Sequence, residues 1–175
     1  MNEYNQPDGP WEIEWRGPRF VVEQCEGYFR VAPPTKITGA IALLESPSGR
    51  FFLVEQYRFA LEKVSLELPR GGAEPGEDVV ACALREAFEE TGLIADRTTA
   101  SQLGVIAPDS GFVTYELPVV HARVDTETAP GPTLPDEIIR VHSLSIGEIS
   151  QKIASGQLTD GYTMAALALW MAKRG

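Results

Sequence analysis

Short β-like runs fill both halves of the chain, and one strongly marked helix separates them. The helix is predicted over residues 79–91, because Asp78 is suited to cap its first turn and Gly92 can adopt the left-handed conformation that ends a helix. Two further helical patterns, 145–155 and 161–173, close the chain. This order of elements predicts a mixed α/β fold, an α/β/α sandwich in which a mixed sheet lies between helices.

The predicted strands share β-branched and aromatic residues and are bounded by Gly, Pro and Ser turns. They cover residues 11–16, 19–24, 28–32, 37–45, 51–57, 65–68, 101–106, 113–124 and 138–144. We expect residues 1–36 to form a small antiparallel β element and residues 37–175 to form the main domain. The segment 125–137 is rich in Pro, Thr and acidic residues. It is expected to be a mobile loop.

The charge balance narrows the choice of partners. The chain has 15 Lys and Arg against 25 Asp and Glu, a formal net charge of −10. Nucleic acid and anionic membrane select for basic surfaces, so neither is expected to be a partner. An anionic small molecule would need a cation between it and the acidic groups.

The sequence has no recognisable secretory signal and no apolar run of the ~20 residues that span a bilayer. Its two cysteines are too few for a disulfide framework. We therefore expect a soluble cytoplasmic protein with Cys25 and Cys82 buried.

Three glutamates gather on one side of the predicted helix. On a helical wheel Glu86, Glu89 and Glu90 fall within an arc of about 100°, away from the apolar stripe. Each like-charged pair costs a few tenths of a kcal/mol in an isolated helix, and Arg85 is the helix's one cation. Such a run can simply be a solvated acidic face. However, a glycine-rich bend precedes the helix, and several oxygen ligands are what a hard divalent cation requires. The cluster therefore predicts a magnesium site.

The stretch from Gly71 to Leu93 carries a spaced motif. Its nine positions are Gly71, Glu77, Arg85, Glu86, Ala87, Glu89, Glu90, Gly92 and Leu93. This pattern resembles the Nudix box of the Nudix hydrolase family, with Ala87 where a larger aliphatic residue is often found. Segments 54–58, 66–71 and 156–163, together with Pro108, resemble the branch that hydrolyses ADP-ribose and related nucleoside diphosphate sugars. Residues 109–112 stand where that branch often has a Ser-Pro-Gly turn.

The resemblance implies a magnesium site, with Mn²⁺ as a substitute. Glu86 and Glu90 would be its principal ligands, Glu89 would bind directly or through water, and the backbone carbonyl of Arg70 would add a further oxygen. Glu77 would hold the loop by pairing with Arg85. Glu89 and Arg85 also belong to the candidate catalytic set.

The general base in that branch commonly lies on a loop well after the box. Glu137 is our candidate, with Asp136 and Glu116 as alternatives. Alternatively, the acidic pair at 136–137 could consist of ordinary solvent-exposed residues in a loop that precedes a strand. For substrate binding the candidates are Arg58, at the end of a strand, and Phe112, which could stack on a base. Both have ordinary alternatives, because Arg58 could be a surface arginine and an aromatic residue near a strand is more often core.

The implied reaction is attack of water on the pyrophosphate of a nucleoside diphosphate sugar. ADP-ribose is expected first, giving AMP and ribose 5-phosphate. The alternatives are another substrate (GDP-mannose, a UDP-sugar or a dinucleoside polyphosphate) and a sensor that binds nucleotide sugars without turnover. The resemblance also implies a homodimer that pairs through the N-terminal strands.

Overall fold

The computed structural model describes residues 7–33, 39–133 and 138–174. Within these ranges the chain forms ten strands and three helices. The strands are β1 (Glu12–Arg16), β2 (Val21–Cys25), β3 (Tyr28–Ala32), β4 (Ala40–Glu45), β5 (Phe51–Arg58), β6 (Lys63–Glu67), β7 (Arg70–Gly71), β8 (Asp96–Ile106), β9 (Leu117–Arg123) and β10 (Ile138–Leu144). The helices are α1 (Val79–Thr91), α2 (Ile146–Ala154) and α3 (Gly161–Arg174). No helix among the described residues is long and apolar enough to cross a membrane.

Two sheets are present. Strands β1, β2 and β3 form a small antiparallel sheet in sequence order. The larger sheet has seven strands in the order β10-β5-β4-β9-β8, with β6 pairing with β5 and β7 pairing with β4. The β4–β9 pair is parallel, whereas the other pairs are antiparallel, so the sheet is mixed as predicted. The boundary predicted between residues 36 and 37 lies outside the described residues.

The large sheet is covered on both faces. All six residues of β4 are buried, and the five apolar ones, residues 40–44, alternate between two apolar clusters. Ile41 and Leu43 belong to the cluster that includes residues of α2 and α3, whereas Ala42 and Leu44 belong to the cluster that includes residues of α1. A strand buried on both faces is expected to be uniformly apolar. The predicted layering of helices on both sides of a mixed sheet is therefore confirmed.

Helix α1 begins and ends at the predicted residues. The Asp78 carboxylate accepts the Ala81 N–H at 2.7 Å, and Gly92 has a φ of 71°, which lets its N–H reach the carbonyl of Phe88. Its buried face is made of small residues, Cys82, Ala83, Ala87 and Thr91. Cys25 and Cys82 are both buried and free, as predicted. Small side chains let this helix lie close to the sheet, which brings its neighbouring glutamates near the sheet's edge.

The largest differences from the predicted strands are at β9, β8 and β7. Strand β9 begins at Leu117, not at residue 113, since a turn precedes it in which the N–H groups of Phe112 and Val113 both donate to the Asp109 carbonyl. Strand β8 begins at Asp96, five residues before the predicted start. Strand β7 has two residues and was not predicted. It pairs with Ala40 and Ile41 and fixes the backbone at the start of the motif.

The acidic, proline-rich loop is attached to α1. The Gly131 N–H donates to the Thr91 carbonyl at 3.0 Å, and the Thr133 N–H donates to the Glu89 carbonyl at 2.8 Å. These bonds satisfy carbonyl groups that the end of a helix leaves without partners. Instead of moving freely, the described part of this loop is therefore held at the C-terminal end of α1. Residues 134–137 lie outside the described residues.

Candidate active site

The carboxylate of Glu86 lies against the backbone of β7. A Cβ placed on Gly71 would overlap both oxygens of this carboxylate, so the contact exists only because residue 71 has no side chain. The Glu86 side chain is 13% exposed. Burial raises its pKa above the usual range, while hydrogen bonding to Arg85 opposes that change. The sheet edge and the helix thus enclose one carboxylate of the motif.

Glu90 is the most unusual acid of the site. Its Oε2 is buried and has no hydrogen-bond partner in the described part of the chain. Burial raises the pKa of Glu90 to about 8, the negative charge of Glu86 adds to the increase, and the charges of Arg58 and Arg70 oppose it. A buried carboxylate oxygen without a partner is costly and calls for an explanation. A cation bound at this oxygen would supply one.

Arg85 holds the loop and the helix together. Its Nε and Nη2 donate to the two oxygens of Glu77 at 2.9 and 3.0 Å, so the predicted pair is present. Its Nη1 donates to Glu86 at 2.8 Å and to Glu89 at 3.1 Å, and its Nη2 reaches the Gly72 carbonyl at 2.8 Å. A planar guanidinium with five N–H donors can make this set of bonds, and a lysine cannot.

The arrangement contains oxygen donors but not a closed metal centre. In the described ranges no three His, Cys, Asp or Glu side chains are gathered closely enough to hold an ion unaided. Glu86 and Glu89 turn oxygens towards Arg85, whereas Glu90 keeps one oxygen unpartnered. Carboxylate and carbonyl oxygens nevertheless suit Mg²⁺ or Mn²⁺, which keep several waters and take few protein ligands. The donor set therefore fits a divalent cation that is bound together with phosphate.

A cavity of about 380 Å³ opens beside Gly71. It is lined by residues of both sheets and of α3, namely Arg19, Phe20, Val31, Pro33, Arg58, Arg70, Gly71, Tyr115, Leu117 and Tyr162. Three of these side chains are guanidinium groups and three are aromatic. Such a lining suits a ligand that carries phosphates at one part and rings at another.

Two of these arginines share one buried acid. Arg58 donates through Nε and Nη2 to both oxygens of Glu67, and Arg70 Nη1 lies 2.7 Å from Glu67 Oε2. Glu67 is 1% exposed. Burial alone would raise its pKa, but the Arg58 hydrogen bonds and the Arg70 charge keep the pKa of Glu67 below its usual range. Glu67 therefore holds both guanidinium groups at the cavity wall.

The structure brings most of the predicted site residues together. Glu86, Glu89, Glu90 and Arg85 are linked on α1, and Arg58 and Arg70 line the adjacent cavity. Phe112 is 48% exposed and does not line the cavity, although its carbonyl accepts the Val31 N–H and so ties its loop to β3. Glu116 is exposed. Asp136 and Glu137 lie outside the described residues.

The sequence interpretation did not identify several residues of the cavity. These are Arg19, Phe20, Tyr162 and the side chain of Arg70. It also did not identify Glu67 and Asp160, the acids that pair with Arg70 behind the cavity lining. Segments 66–71 and 156–163 were noticed as motifs, but their pairing is a contact between positions about 90 residues apart. Arg19 and Phe20 follow a turn in the N-terminal sheet and have no local pattern that points to a ligand.

Comparison with known proteins identifies the family. The family model described as the NUDIX domain matches residues 35–167. An ADP-ribose pyrophosphatase of Bacillus subtilis is 28% identical over 139 residues, which are 75% of this chain and 71% of that protein. A methanol dehydrogenase activator of Bacillus methanolicus is 32% identical over 130 residues, 74% of this chain and 70% of the relative. An ADP-ribose pyrophosphatase of Escherichia coli is 35% identical over 123 residues, 66% of this chain and 58% of that enzyme.

A solved structure supports the fold. The crystal structure of an ADP compounds hydrolase superposes with a TM-score of 0.74 at 20% identity, covering 95% of this chain and 94% of the other. At 20% identity this match supports the fold alone. The family model matches well over half of the chain. The chain therefore belongs to the Nudix family, and it is a Nudix hydrolase that is similar in sequence to ADP-ribose pyrophosphatases.

Proposed function

We propose that this Nudix hydrolase cleaves the pyrophosphate bond of a nucleoside diphosphate sugar with the help of Mg²⁺. ADP-ribose is the first candidate, with AMP and ribose 5-phosphate as products. The observation that carries the proposal is the unpartnered, buried oxygen of Glu90, whose charge is affected by Arg58 and Arg70, two of the arginines that line the cavity. A cation bound at the Glu90 oxygen would lie next to guanidinium groups, which bind phosphate.

The metal would be held by Glu86, Glu90 and Glu89 together with the backbone carbonyl of Arg70. Burial raises the pKa of both Glu86 and Glu90, because two negative charges are enclosed with incomplete solvation. A bound divalent cation would remove that cost, and Mn²⁺ is expected to substitute for Mg²⁺. When bound, the cation neutralises phosphate charge and lowers the pKa of the attacking water.

The substrate would bind in the cavity with its diphosphate towards Arg58 and Arg70. Guanidinium groups form paired hydrogen bonds to phosphate, and Glu67 holds both groups in place. Phe20 and Tyr115 also line the cavity and offer aromatic surface for a ring of the substrate. Phe112 remains a candidate for base stacking, since its loop is hydrogen-bonded to the N-terminal sheet.

Glu137 is proposed as the general base that takes the proton of the attacking water. Glu137 lies between the described residues Thr133 and Ile138, and the contacts of these two residues support the proposal. Thr133 is hydrogen-bonded to the carbonyl of Glu89, and Ile138 pairs with Gln56 in β5, two residues before Arg58. The two described residues that flank Glu137 are therefore attached to the helix that carries the carboxylates and to the strand that carries Arg58.

We further propose that residues 1–36 form a small N-terminal β element and that the chain is a homodimer through this element. The small sheet leaves Ile13, Trp15, Tyr28 and Phe29 about half exposed. Exposed apolar side chains on one small sheet favour an interaction surface. Sedimentation velocity is expected to give about twice the chain mass of 19.1 kDa, and a 19.1 kDa species at high concentration would contradict the dimer.

The function can be tested in one experiment. The protein is incubated with Mg²⁺ and a panel of ADP-ribose, GDP-mannose, UDP-sugars and dinucleoside polyphosphates in ¹⁸O water, and the products are resolved by phosphorus NMR. We expect ADP-ribose to be consumed fastest, and the labelled product to identify the phosphorus that water attacks. A chelator is the matched control. Faster consumption of another compound would change the substrate, and tight binding without turnover would identify a sensor.

A further inference from the structure

The N-terminus of α3 is joined directly to the wall of the cavity by Asp160. Asp160 Oδ2 accepts the Thr163 N–H at 2.8 Å and the Thr163 hydroxyl at 2.7 Å, which caps the helix. The same carboxylate accepts Nη1 and Nη2 of Arg70 at 3.1 and 3.3 Å. The Asp160 side chain thus caps a helix and also binds a guanidinium group that lines the cavity.

Capping alone does not require the charge of Asp160. Ser, Thr and Asn cap helices about as well as Asp does. This protein itself uses a neutral residue for that purpose, since Ser145 caps α2 by accepting the Glu148 N–H. The Asp160 side chain is only 9% exposed, so its negative charge is largely removed from water. The ion pair with Arg70 accounts for a negative charge at this buried position.

Arg70 is held from three sides. Its Nη1 also lies 2.7 Å from Glu67 Oε2, and its guanidinium carbon is 4.3 Å above the ring of Tyr162. The carboxylates and the ring together fix the plane of the guanidinium. Asp160 accepts one hydrogen from Nη1 and one from Nη2, and Glu67 forms an ion pair at Nη1. Among the described residues no hydrogen bond uses the Nε–H or the second Nη2 hydrogen, and these are left for a ligand.

The segment that carries Arg70 is fixed by the same cap. The Thr163 hydroxyl, which donates to Asp160, accepts the Leu68 N–H at 2.8 Å. Thr163 is fully buried. On its other edge the segment bonds to β4, where the Ala42 N–H donates to the Pro69 carbonyl at 2.8 Å. Because both edges of residues 68–71 are held, a change at Asp160 is expected to alter the Arg70 side chain more than its backbone.

We propose that Asp160 is a positioning residue that holds the Arg70 guanidinium in the cavity wall to receive the diphosphate of the substrate. The proposal rests on the proposed function for the identity of the ligand. It concerns the side chain of Arg70, whereas the metal site would use the backbone carbonyl of the same residue. The two roles are separable, since Arg70→Ala removes the guanidinium and keeps the carbonyl.

The test measures the Kd of ADP by calorimetry with Mg²⁺ present, together with KM and kcat for ADP-ribose. Asp160→Asn keeps the cap and removes the charge. We expect about a tenfold rise in Kd and KM, a kcat within about threefold of wild type, and little change in Tm. In an Arg70→Ala background the same substitution is expected to add no further rise, because Asp160 acts through Arg70.

Ser145→Ala is the matched control, since it removes the cap of α2, whose residues are absent from the cavity lining. It is expected to lower Tm by about 2–4 °C and to leave the Kd of ADP unchanged. The inference is overturned if Asp160→Asn binds ADP as tightly as wild type, if the loss persists in the Arg70→Ala background, or if wild type does not bind ADP. A wild-type protein that binds ADP but hydrolyses no nucleotide sugar would overturn the proposed function alone.

Discussion

The carboxylate of Glu86 occupies the space that a side chain at residue 71 would fill. Gly71 belongs to β7, where it pairs with Ala40 of β4, and its backbone does not adopt a positive φ. The absence of a side chain at this position is therefore required for space and not for backbone conformation. The glycine of the motif permits the helix carboxylate and the strand backbone to meet.

Replacing Gly71 with Ala should displace Glu86. The added methyl would overlap the carboxylate, so we expect kcat/KM to fall at least about 100-fold and the free energy of unfolding to fall by about 1–3 kcal/mol. Gly72→Ala is the matched control, because a Cβ at the neighbouring residue meets nothing within 4 Å. Steady-state kinetics and urea unfolding of both variants check this prediction. Equal losses in the two variants would show that the Glu86 contact is not the cause.

Glu90 should make the metal-free protein less stable as the pH rises. Its pKa is about 8 in the folded protein, against an ordinary value of 4.5. Between these two values the unfolded chain loses this proton while the folded protein keeps it. The free energy of unfolding therefore falls with rising pH by at most about 1.4 kcal/mol for each unit, up to about pH 8.

Glu90→Gln should remove that pH dependence and abolish turnover. The amide has nearly the same shape and no charge, so the metal-free variant is expected to be more stable than wild type near pH 8. Urea unfolding in chelator from pH 5 to 8 measures the first effect. Addition of Mg²⁺ should raise the Tm of wild type and not that of the variant. Near-normal activity of Glu90→Gln would show that the ligand assignment is wrong.

Arg85→Lys should loosen the loop before α1 from the helix. Lysine cannot reproduce the bonds that Arg85 makes to Glu77, Glu86 and the Gly72 carbonyl. We expect kcat/KM to fall at least about tenfold, with about 1 kcal/mol lost in stability. Arg97→Lys is the control, because Arg97 pairs with Asp78 at an exposed site where such pairs contribute little. If both substitutions have the same effect on kcat/KM, the Arg85 contacts are not specific to the site.

The core of the fold and the helix of the site could be predicted because their signals are local. The bounds of α1 follow from Asp78 and Gly92, and the spacing of its glutamates follows from the helical repeat. The apolar residues of β4, which alternate between two clusters, are likewise consecutive in the sequence. Such features need no knowledge of the rest of the chain.

The remainder of the site could not be predicted because it is formed by contacts between distant positions. Glu67 appears in the sequence as one residue of a strand, yet it is nearly inaccessible and joins Arg58 to Arg70. Asp160 directly precedes the predicted helix 161–173, and its partner Arg70 lies 90 residues earlier in the chain. Strand β7, with two residues, is too short to leave a periodic pattern, and only its pairing with β4 defines it.

The general base is the last role to be tested. Glu137→Gln should lower kcat by about 10²–10⁴-fold, because a neutral amide cannot take the proton of the attacking water. The affinity for Mg²⁺, measured by calorimetry, should be unchanged, since the proposed ligands lie on α1 and at Arg70. The pH profile of kcat should also lose its acidic limb, which reports deprotonation of the base. Asp136→Asn and Glu116→Gln are the matched controls, and each is expected to keep kcat within about threefold of wild type. A large loss of kcat in one of these controls, with Glu137→Gln near normal, would assign the base to that residue instead.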